Sequence, residues 1–306
     1  MDEVAQQPEQ PQGPSVSVLV LSFNRDAYLR GCLEALERSE DRQRLQIIVL
    51  DPGSRKSASL LQPDFPEVTI LRMPRNFGAT KALNIGLRTA KADIVFFLDP
   101  AIEIRPDTIW KLVAALEESR DAAAVCPLLV DGKGQPLPQV RPLPDRDTLV
   151  KIWRTGEGIP AAVPSGARTA VGYPGRKALL IRLNFLRGMS FFDEHYGEWG
   201  ADLELAFQIQ HAAKKTYILG DVAVVDRSVD EPVEALPVSD RALLAADRAN
   251  GVARFLERRT GLVGGLLFRA GAILSTLFSA LTFQEPGFSW SLFLNLLSGT
   301  KIDGSQ

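Results

Sequence analysis

Cysteine and histidine are scarce in this chain, which has two of each among its 306 residues. Cys32 and Cys126 both lie in apolar segments, so two buried thiols are a better interpretation than a disulfide, and a reducing compartment fits. The spacing of these residues is not that of a structural zinc site. The sequence therefore argues against a disulfide-stabilised secreted domain and against a zinc-binding module.

An excess of positive charge is also absent, because the formal net charge is -2 with 24% charged and 45% apolar residues. Nucleic-acid-binding proteins need a basic face, which this composition does not supply. The first 15 residues are rich in Gln and Pro and lack the basic start and apolar run of a secretory signal. We therefore expect a disordered tail at 1–15, no nucleic-acid partner and a cytoplasmic location.

Long uninterrupted apolar runs are missing as well. The apolar segment 261–283 is broken by Arg269, and neither side reaches the roughly 20 residues that span a bilayer. A second apolar run covers 288–297. We expect 261–300 to form paired helices that either pack on the rest of the protein or make peripheral contact with the inner face of the membrane through 261–297.

Short apolar strands alternate with helical segments in the first half of the chain. Buried strands are predicted at 17–22, 45–51, 68–73 and 94–98, with helices between most of them. This alternation predicts right-handed crossovers and an α/β fold with a mainly parallel central sheet flanked by helices. We expect that domain at 16–230, followed by a C-terminal helical extension at 231–306.

Polar residues follow several of these strands, at the sheet edge where ligands of open α/β folds bind. Asp51 ends the second strand, and Asn24 and Arg25 follow the first, where they could reach a nucleotide. For Asp51 and Asn24, simple turn formation is an equally economical interpretation.

The segment 76–84 also suggests a phosphate site. It contains Asn76, Gly78, Lys81 and Asn84, with Gly78 allowing close backbone approach. The alternative is a solvated helix start with a capping Asn.

Asp99 follows the apolar strand IVFFL, so its carboxylate must reach water, a ligand or a metal ion. Mg²⁺ can be held by one or two carboxylates together with phosphate oxygens and water. The position two residues on is Ala101, and Glu103 is the next acidic residue. Asp99 is therefore a candidate ligand for Mg²⁺ or Mn²⁺.

Asp202 and Glu204 lie near the start of a helix predicted at 200–214. Carboxylates in a first helical turn are stabilised by the helix dipole, which is the structural interpretation. The functional interpretation is that one of them is a general base that removes a proton from an acceptor hydroxyl. His195 and His211 have no metal-ligand partner in the pattern and are interpreted as structural or surface residues.

Five segments, in this order, resemble the signatures of family 2 glycosyltransferases: VSVLVLSFNR, IIVLDPGS, NFGATKALNIG, VFFLDPA and FDEHYGEWGADLEL. The similarity covers about residues 16–226 and implies a GT-A type nucleotide-diphospho-sugar transferase fold. It also implies a nucleotide-diphosphate sugar as donor, a glycan or lipid-linked acceptor, and inversion at the transferred sugar. The residues that would bind the nucleotide sugar are Ser22, Asn24, Arg25, Asp51, Asn76, Gly78, Lys81, Asn84 and Asp99.

The resemblance also assigns the catalytic and metal-binding positions. Asp99 would be the first carboxylate of the family's Asp-x-Asp metal site, Asp202 the base, and Glu204 the acidic residue two positions further on. The chain departs from the pattern at Ala101, Ala201 and Asp226, where the family has Asp, Glu and often His.

These departures leave three hypotheses. The first is an inverting glycosyltransferase in cell-surface polysaccharide synthesis, and the second is a catalytically impaired relative that binds nucleotide sugars or acts as a scaffold in a polysaccharide assembly complex. A nucleotidyltransferase, the third, would need a Gly-rich basic loop directly after the first strand, and SFNRDAYLRG offers little of that.

Overall fold

A nine-stranded sheet with helices on both faces forms the centre of the fold in the computed structural model, which describes residues 13–143, 145, 147–148, 161–173, 175–230, 237–282 and 286–299. The strands are β1 (Val16–Leu21), β2 (Leu45–Asp51), β3 (Thr69–Arg72), β4 (Ile94–Leu98), β5 (Ile102–Glu103), β6 (Ala122–Val130), β7 (Arg168–Val171), β8 (Ala178–Arg182) and β9 (Lys215–Asp226). The helices are α1 (Asp26–Glu37), α2 (Ala79–Thr89), α3 (Thr108–Glu118), α4 (Leu183–Gly188), α5 (Glu198–His211), α6 (Val238–Thr260), α7 (Leu262–Leu281) and α8 (Pro286–Ser298).

The strand order is β3-β2-β1-β4-β8-β6-β9-β5, with β7 paired to β9. Strands β1, β2, β3, β4, β6 and β9 run in one direction, whereas β5, β7 and β8 run in the other. The predicted α/β fold with a mainly parallel sheet is therefore confirmed.

The two faces of the sheet are covered by different helices because side chains alternate along each strand. Leu19, Leu50 and Phe97 face a core that includes side chains of α2, α5 and α6. Val20 and Phe96 face the other core, which includes side chains of α1 and α3. Both cores consist of buried apolar side chains, and the strands between them are apolar on both faces, as expected for parallel strands covered by helices.

The second half of the sheet is less regular than the first. The segment 215–226 is one strand, β9, whose pairing with β6 shifts register between Pro127 and Leu128. The region 132–175 is rich in Pro and Gly, and its described part contains β7. Residues 149–160 lie outside the described residues. Residues 1–12 of the expected tail and 231–236, at the expected domain boundary, also lie outside them.

Both cysteines are free and buried, as predicted. Burial raises the pKa of the Cys32 thiol to about 12, with a smaller contribution from the negative charge of Asp99. Burial alone raises the pKa of Cys126 to about 12. Both side chains are therefore protonated core residues at neutral pH, and neither is a candidate nucleophile.

The first of the C-terminal helices, α6, packs in the core, and the last two, α7 and α8, carry an exposed apolar surface. Val252, Phe255 and Leu256 of α6 belong to the same core as α5, and α7 and α8 pack on α6 and on each other. The prediction of paired helices is confirmed. Arg269 interrupts the apolar run but not the helix, because α7 continues through it, and Arg269 Nη2 donates to the Leu296 carbonyl of α8 at 3.0 Å.

Helix α7 is long and apolar enough to cross a membrane by length and composition, and 22% of its most apolar window is buried. Much of the remainder is exposed, and α8 adds to the same kind of surface. Exposed apolar side chains on the two helices are Leu262, Val263, Leu266, Leu267, Leu274, Phe278, Leu281, Trp290, Leu294 and Leu297.

Helices α5 and α6 approach each other closely where two glycines face each other. A Cβ added at Gly200 would lie 3.0 Å from the Gly251 Cα and 2.4 Å from the Tyr196 ring. A Cβ added at Gly251 would meet the Gly200 backbone at 3.1 Å. The contact between the two helices therefore depends on the absence of side chains at these two positions.

We expect Gly200→Ala to lower the free energy of unfolding by about 1–3 kcal/mol, because the methyl group overpacks the contact between α5 and α6. The matched control is Gly271→Ala on α7, where an added Cβ meets nothing within 4 Å. That change should raise stability by about 0.5–1 kcal/mol, since Ala loses less backbone entropy in a helix than Gly. Denaturant unfolding measures both changes in stability. Equal unfolding midpoints for the two variants would contradict the close contact of α5 and α6 at Gly200.

Candidate active site at the carboxyl edge of the sheet

Three parallel strands end side by side at one edge of the sheet. In the register of β1 with its neighbours, Leu21 lies opposite Leu50 of β2 and Val20 lies opposite Leu98 of β4. The residues that follow these strands therefore emerge together, which is how a ligand crevice forms in open α/β sheets. The sequence prediction that Ser22, Asp51 and Asp99 share one edge agrees with this geometry.

The loops after β1 and β2 are hydrogen-bonded to each other through Ser54. Its hydroxyl donates to the Ser22 carbonyl at 3.2 Å and accepts from the Asn24 backbone N–H at 3.0 Å. Asn24 adopts φ 53°, which Asn tolerates better than most residues, and its Oδ1 accepts from the Arg55 N–H at 3.0 Å. These bonds give the loop that carries Arg25 a defined position.

Asp51 is fully buried, and its carboxylate organises the loop that follows β2. One oxygen accepts from the Ser54 N–H at 2.7 Å, and the other accepts from the Ala58 N–H at 3.0 Å and from Arg72 Nη1 at 3.1 Å. The turn-forming interpretation of Asp51 therefore accounts for all the contacts that the structure shows, and a contact with a nucleotide base stays a prediction.

The polar residues of the segment 76–84 have different surroundings. Asn76 Oδ1 accepts from the Gly78 N–H at 2.8 Å, and Gly78 adopts φ 93° as the cap of α2. Lys81 is exposed, with Nζ 5.1 Å from the centre of the Phe77 ring.

Asn84 differs from the expectation that it faces the diphosphate, because it is buried and bonds to the loop before α5. Its amide donates to the Phe192 carbonyl at 2.8 Å and to Glu194 Oε1 at 3.1 Å, and its Oδ1 accepts from the Phe192 N–H. Thr80 makes a second connection of this kind, since its hydroxyl donates to the Gly197 carbonyl at 2.9 Å. Asn84 therefore fixes the position of the segment that leads to Asp202.

Asp99 lies between the loop after β1 and the start of β8. Its Oδ1 accepts from the Ala101 N–H at 2.9 Å and lies 3.8 Å from Arg25 Nη1. Its own backbone N–H donates to the Lys177 carbonyl at 2.7 Å. Glu103, the next acidic residue, does not join it, because Arg227 forms a two-pronged ion pair with Glu103 at 2.9 Å.

Two basic residues that the sequence reasoning did not single out, Arg176 and Lys177, complete the site. Because β8 runs antiparallel to β4, its N-terminal end lies beside the C-terminal end of β4, with Ala178 opposite Leu98. The Arg176 guanidinium forms an ion pair with Asp202. Lys177 Nζ donates to Asp226 Oδ2 and to Ser228 Oγ, both at 2.7 Å. The signal was a basic pair directly before the apolar run ALLI.

Asp202 and Glu204 have different surroundings although both are on α5. Asp202 is partly exposed and pairs with Arg176. Glu204 is 3% exposed, and its oxygens accept from the Tyr196 hydroxyl at 3.3 Å, Gln208 Nε2 at 2.7 Å and Arg259 Nη2 of α6 at 2.9 Å. Burial raises the pKa of Tyr196 above its usual range, and the neighbouring Glu204 charge adds to this, so the hydroxyl remains a donor.

These contacts favour a structural role for Glu204, joining α5 to α6, over the expected catalytic one. The two histidines are exposed, with His195 Nδ1 2.6 Å from Asp193 and His211 stacked on Phe207. Of the two predicted catalytic residues, Asp202 is therefore the one that meets the crevice residues.

Residues 17–167 match the family model described as Glycosyl transferase family 2. Across this segment the chain matches glycosyltransferase family 2. It is 30% identical over 104 residues to an uncharacterized glycosyltransferase of Haemophilus influenzae, covering 34% of this chain and 35% of that protein. It is 25% identical over 224 residues to a hyaluronan synthase of Pasteurella multocida, covering 65% of this chain and 23% of that protein. The chain thus spans 35% or less of the length of these relatives.

The fold is similar to that of a mannosyltransferase from Pyrobaculum calidifontis, solved in complex with GDP-Man and Mn²⁺. The TM-score is 0.55 at 16% identity, and the match covers 94% of this chain and 86% of that chain. This likeness shows the GT-A fold, as the sequence resemblance implied.

The residues at the family's metal position do not form the usual set of ligands. Ala101, in place of the second carboxylate, is 1% exposed and has no donor atom on its side chain. Asp226 is buried, and its oxygens bond to Lys177 and Ser228. Across the described ranges, no three Asp, Glu, His or Cys side chains are grouped to hold a metal ion. The residues present therefore do not fit a divalent ion at Asp99.

Arg259→Met tests the structural role of Glu204. We expect it to lower the free energy of unfolding by about 1.5–3 kcal/mol, because a hydrogen bond to a buried carboxylate is lost. The cation–π contact of Arg259 with Phe207 is lost as well. Arg30→Met removes an exposed pair with Asp64 and should change stability by less than about 1 kcal/mol. Chemical denaturation compares the two, and a wild-type midpoint for Arg259→Met would argue against this role.

Proposed function

We propose that this chain transfers a sugar from a nucleotide-diphosphate sugar to a glycan or lipid-linked acceptor, with inversion, in the synthesis of a cell-surface polysaccharide. Its GT-A domain would occupy 16–230, and 231–306 would be a helical extension. The donor would lie over the carboxyl ends of β1, β2 and β4. Around it we propose Ser22, Asn24, Arg25, Asp51, Asn76, Gly78, Lys81 and Asp99, with Asn84 holding the loop before α5.

The observation that carries this proposal is the juxtaposition of Asp99 and Asp202 through the adjacent residues Arg176 and Lys177. Asp99 bonds to the Lys177 backbone, and Asp202 pairs with the Arg176 side chain. This arrangement supports a donor bound at the strand end, with Asp202 near the acceptor hydroxyl. The names of the two relatives given above, an uncharacterized glycosyltransferase and a hyaluronan synthase, support it as well.

In the proposed reaction, Asp202 removes the proton from an acceptor hydroxyl, and that oxygen attacks C1 of the donor sugar. The bond between C1 and the diphosphate oxygen breaks, and the diphosphate leaves with the bonding electron pair. Attack from the face opposite the diphosphate inverts the configuration at C1. Arg176 fixes the orientation of the Asp202 carboxylate, and positive side chains around Asp99 stabilise the charge on the leaving group.

Asp202→Asn should lower the transfer rate by about 10²–10⁴-fold, because the amide cannot accept the proton. Donor affinity should change little. The measurement is release of nucleoside diphosphate from UDP-, GDP- and dTDP-sugars with glycan and lipid-linked acceptors. Asp221→Asn, at an exposed position of β9, is the control that should keep wild-type rates. Full activity of Asp202→Asn would rule out this base.

A second candidate is a catalytically impaired relative that binds nucleotide sugars within a polysaccharide assembly complex. Ala201 favours it, because this residue is buried in the core where the family pattern has a Glu. Nucleotide binding without transfer to any acceptor would support this candidate. Transfer that is lost in Asp202→Asn would exclude it.

We further propose a cytoplasmic protein held at the inner face of the membrane by the apolar surface of α7 and α8. Leu262, Leu266, Leu274, Phe278 and Leu281 recur along α7 at helical spacing and are 61–69% exposed. Burying one such side chain in an apolar phase gains roughly 1.5–3 kcal/mol. Several together suffice for a helix pair to lie in the lipid interface.

Vesicle flotation tests membrane binding. We expect the wild-type protein to float with phosphatidylcholine–phosphatidylglycerol vesicles and the double variant Leu266→Glu, Phe278→Glu to lose about tenfold or more of the bound fraction. The control is Leu60→Glu, since Leu60 is 64% exposed in the 3₁₀ turn Ala58–Leu61, outside the C-terminal helices. Wild-type protein that stays at the bottom of the gradient would refute this proposal.

A further inference from the structure

We infer that Arg25 and Lys177 bind the diphosphate of the donor in place of a divalent metal ion. This inference rests on the proposed function, since it concerns how the same crevice holds a nucleoside diphosphate. It differs from the sequence prediction of a Mg²⁺ or Mn²⁺ site at Asp99.

The carboxylates near the metal position already have other partners. Asp99 Oδ1 accepts from the Ala101 N–H at 2.9 Å. Asp226 Oδ2 accepts from Lys177 at 2.7 Å, and its Oδ1 accepts from the Ser228 hydroxyl at 2.6 Å. A metal ion there would lie beside the ammonium group of Lys177, and two cations in contact repel each other.

Arg25 has an N–H donor without an acceptor. Arg25 Nη1 is buried, and it has no hydrogen-bond partner within the described part of the chain. Its nearest anionic atom, Asp99 Oδ1, is 3.8 Å away, beyond hydrogen-bonding distance. Buried donors are almost always satisfied, so this atom indicates a missing acceptor. The Arg25 side chain as a whole is 39% exposed, so the guanidinium can turn to meet a phosphate oxygen at the strand end, and guanidinium groups bind phosphate well.

Lys177 can offer a further N–H donor to the diphosphate. An ammonium group has three N–H donors, and two of them are used by Asp226 and Ser228. The Lys177 side chain is 47% exposed, so the third donor can reach a ligand in the crevice. The buried Asp226 carboxylate holds the ammonium in place, which reduces the entropy lost when a phosphate binds.

The charges of these groups equal those of a metal site. Two carboxylates and one divalent cation have a net charge of zero, and so do Asp99 and Asp226 together with Arg25 and Lys177. The net charge of these four side chains is therefore the same as that of a two-carboxylate metal site. The positive groups offered to the diphosphate are fixed side chains and not an ion.

Calorimetric titration of the wild-type protein with UDP, GDP and dTDP is the primary test. It is done once in EDTA and once each with Mg²⁺ and Mn²⁺. We expect the best of these ligands to bind with affinities that differ by less than about tenfold between the conditions. A larger gain with either metal would overturn the inference and leave the proposed function intact. No binding under any condition would remove the proposed function and this inference with it.

The double variant Lys177→Gln, Asp226→Asn keeps the pair neutral and avoids an unpaired buried carboxylate. In EDTA we expect it to bind the nucleoside diphosphate about tenfold or more weakly, with unchanged binding of the parent nucleoside. The matched control is Lys215→Gln, Asp121→Asn, because this Lys–Asp pair lies at the opposite end of β9.

Arg25→Gln gives an independent reading if the double variant does not fold. It should weaken binding by about tenfold or more, whereas Arg30→Gln, which breaks the surface pair with Asp64, should not. Wild-type affinity for the diphosphate in Arg25→Gln would overturn the inference. Wild-type affinity in a folded Lys177→Gln, Asp226→Asn protein would also overturn it.

Discussion

The antiparallel pairing of β8 with β4 is the constraint on which the crevice depends. Each parallel strand brings the residues at its C-terminal end to this edge of the sheet. Because β8 runs antiparallel to β4, it brings the residues before its N-terminal end to the same edge. Arg176 and Lys177 are therefore placed beside Asp99, and the backbone bond from Asp99 to the Lys177 carbonyl fixes them there. One change of strand direction thus puts two positive charges next to the carboxylate at the end of β4.

Electrostatics then determine what the crevice can bind. Each crevice carboxylate has a cationic neighbour, with Arg25 near Asp99, Arg176 on Asp202 and Lys177 on Asp226. Taking a carboxylate out of water is costly unless it is paired and hydrogen-bonded, so these pairs allow three acidic groups to lie close together. We propose that the remaining N–H donors of Arg25 and Lys177 bind a diphosphate.

The far wall of the crevice depends on contacts that lie outside it. Asn84 and Thr80 of α2 bond to the loop before α5, and Glu204 joins α5 to Arg259 of α6. The facing glycines at 200 and 251 let these two helices approach closely. Asp202 is therefore positioned by polar contacts that involve three helices, and α6 in turn supports the apolar pair α7 and α8.

The sequence by itself determined the fold class, the buried strands and the residues that follow them. Apolar runs such as IVFFL bury on both faces, so Asp99 had to emerge at a strand end, and the five ordered motifs indicated the family. The sequence also specified that Ala101 carries no ligand atom, because that follows from residue type alone. Asp51 was correctly seen as ambiguous, since a turn and a nucleotide contact need the same residue.

Only the tertiary structure decided which polar groups meet. Asn84 and Glu204 have the residue types of a binding site, but their helices turn them toward neighbouring segments, where they satisfy buried donors. Arg176 and Lys177 are far from Asp99 in sequence, and Asp226 is farther still, so no local pattern could bring them together. Strand direction and helix packing are long-range properties, which is why the crevice carboxylates were visible in the sequence and most of their cationic partners were not.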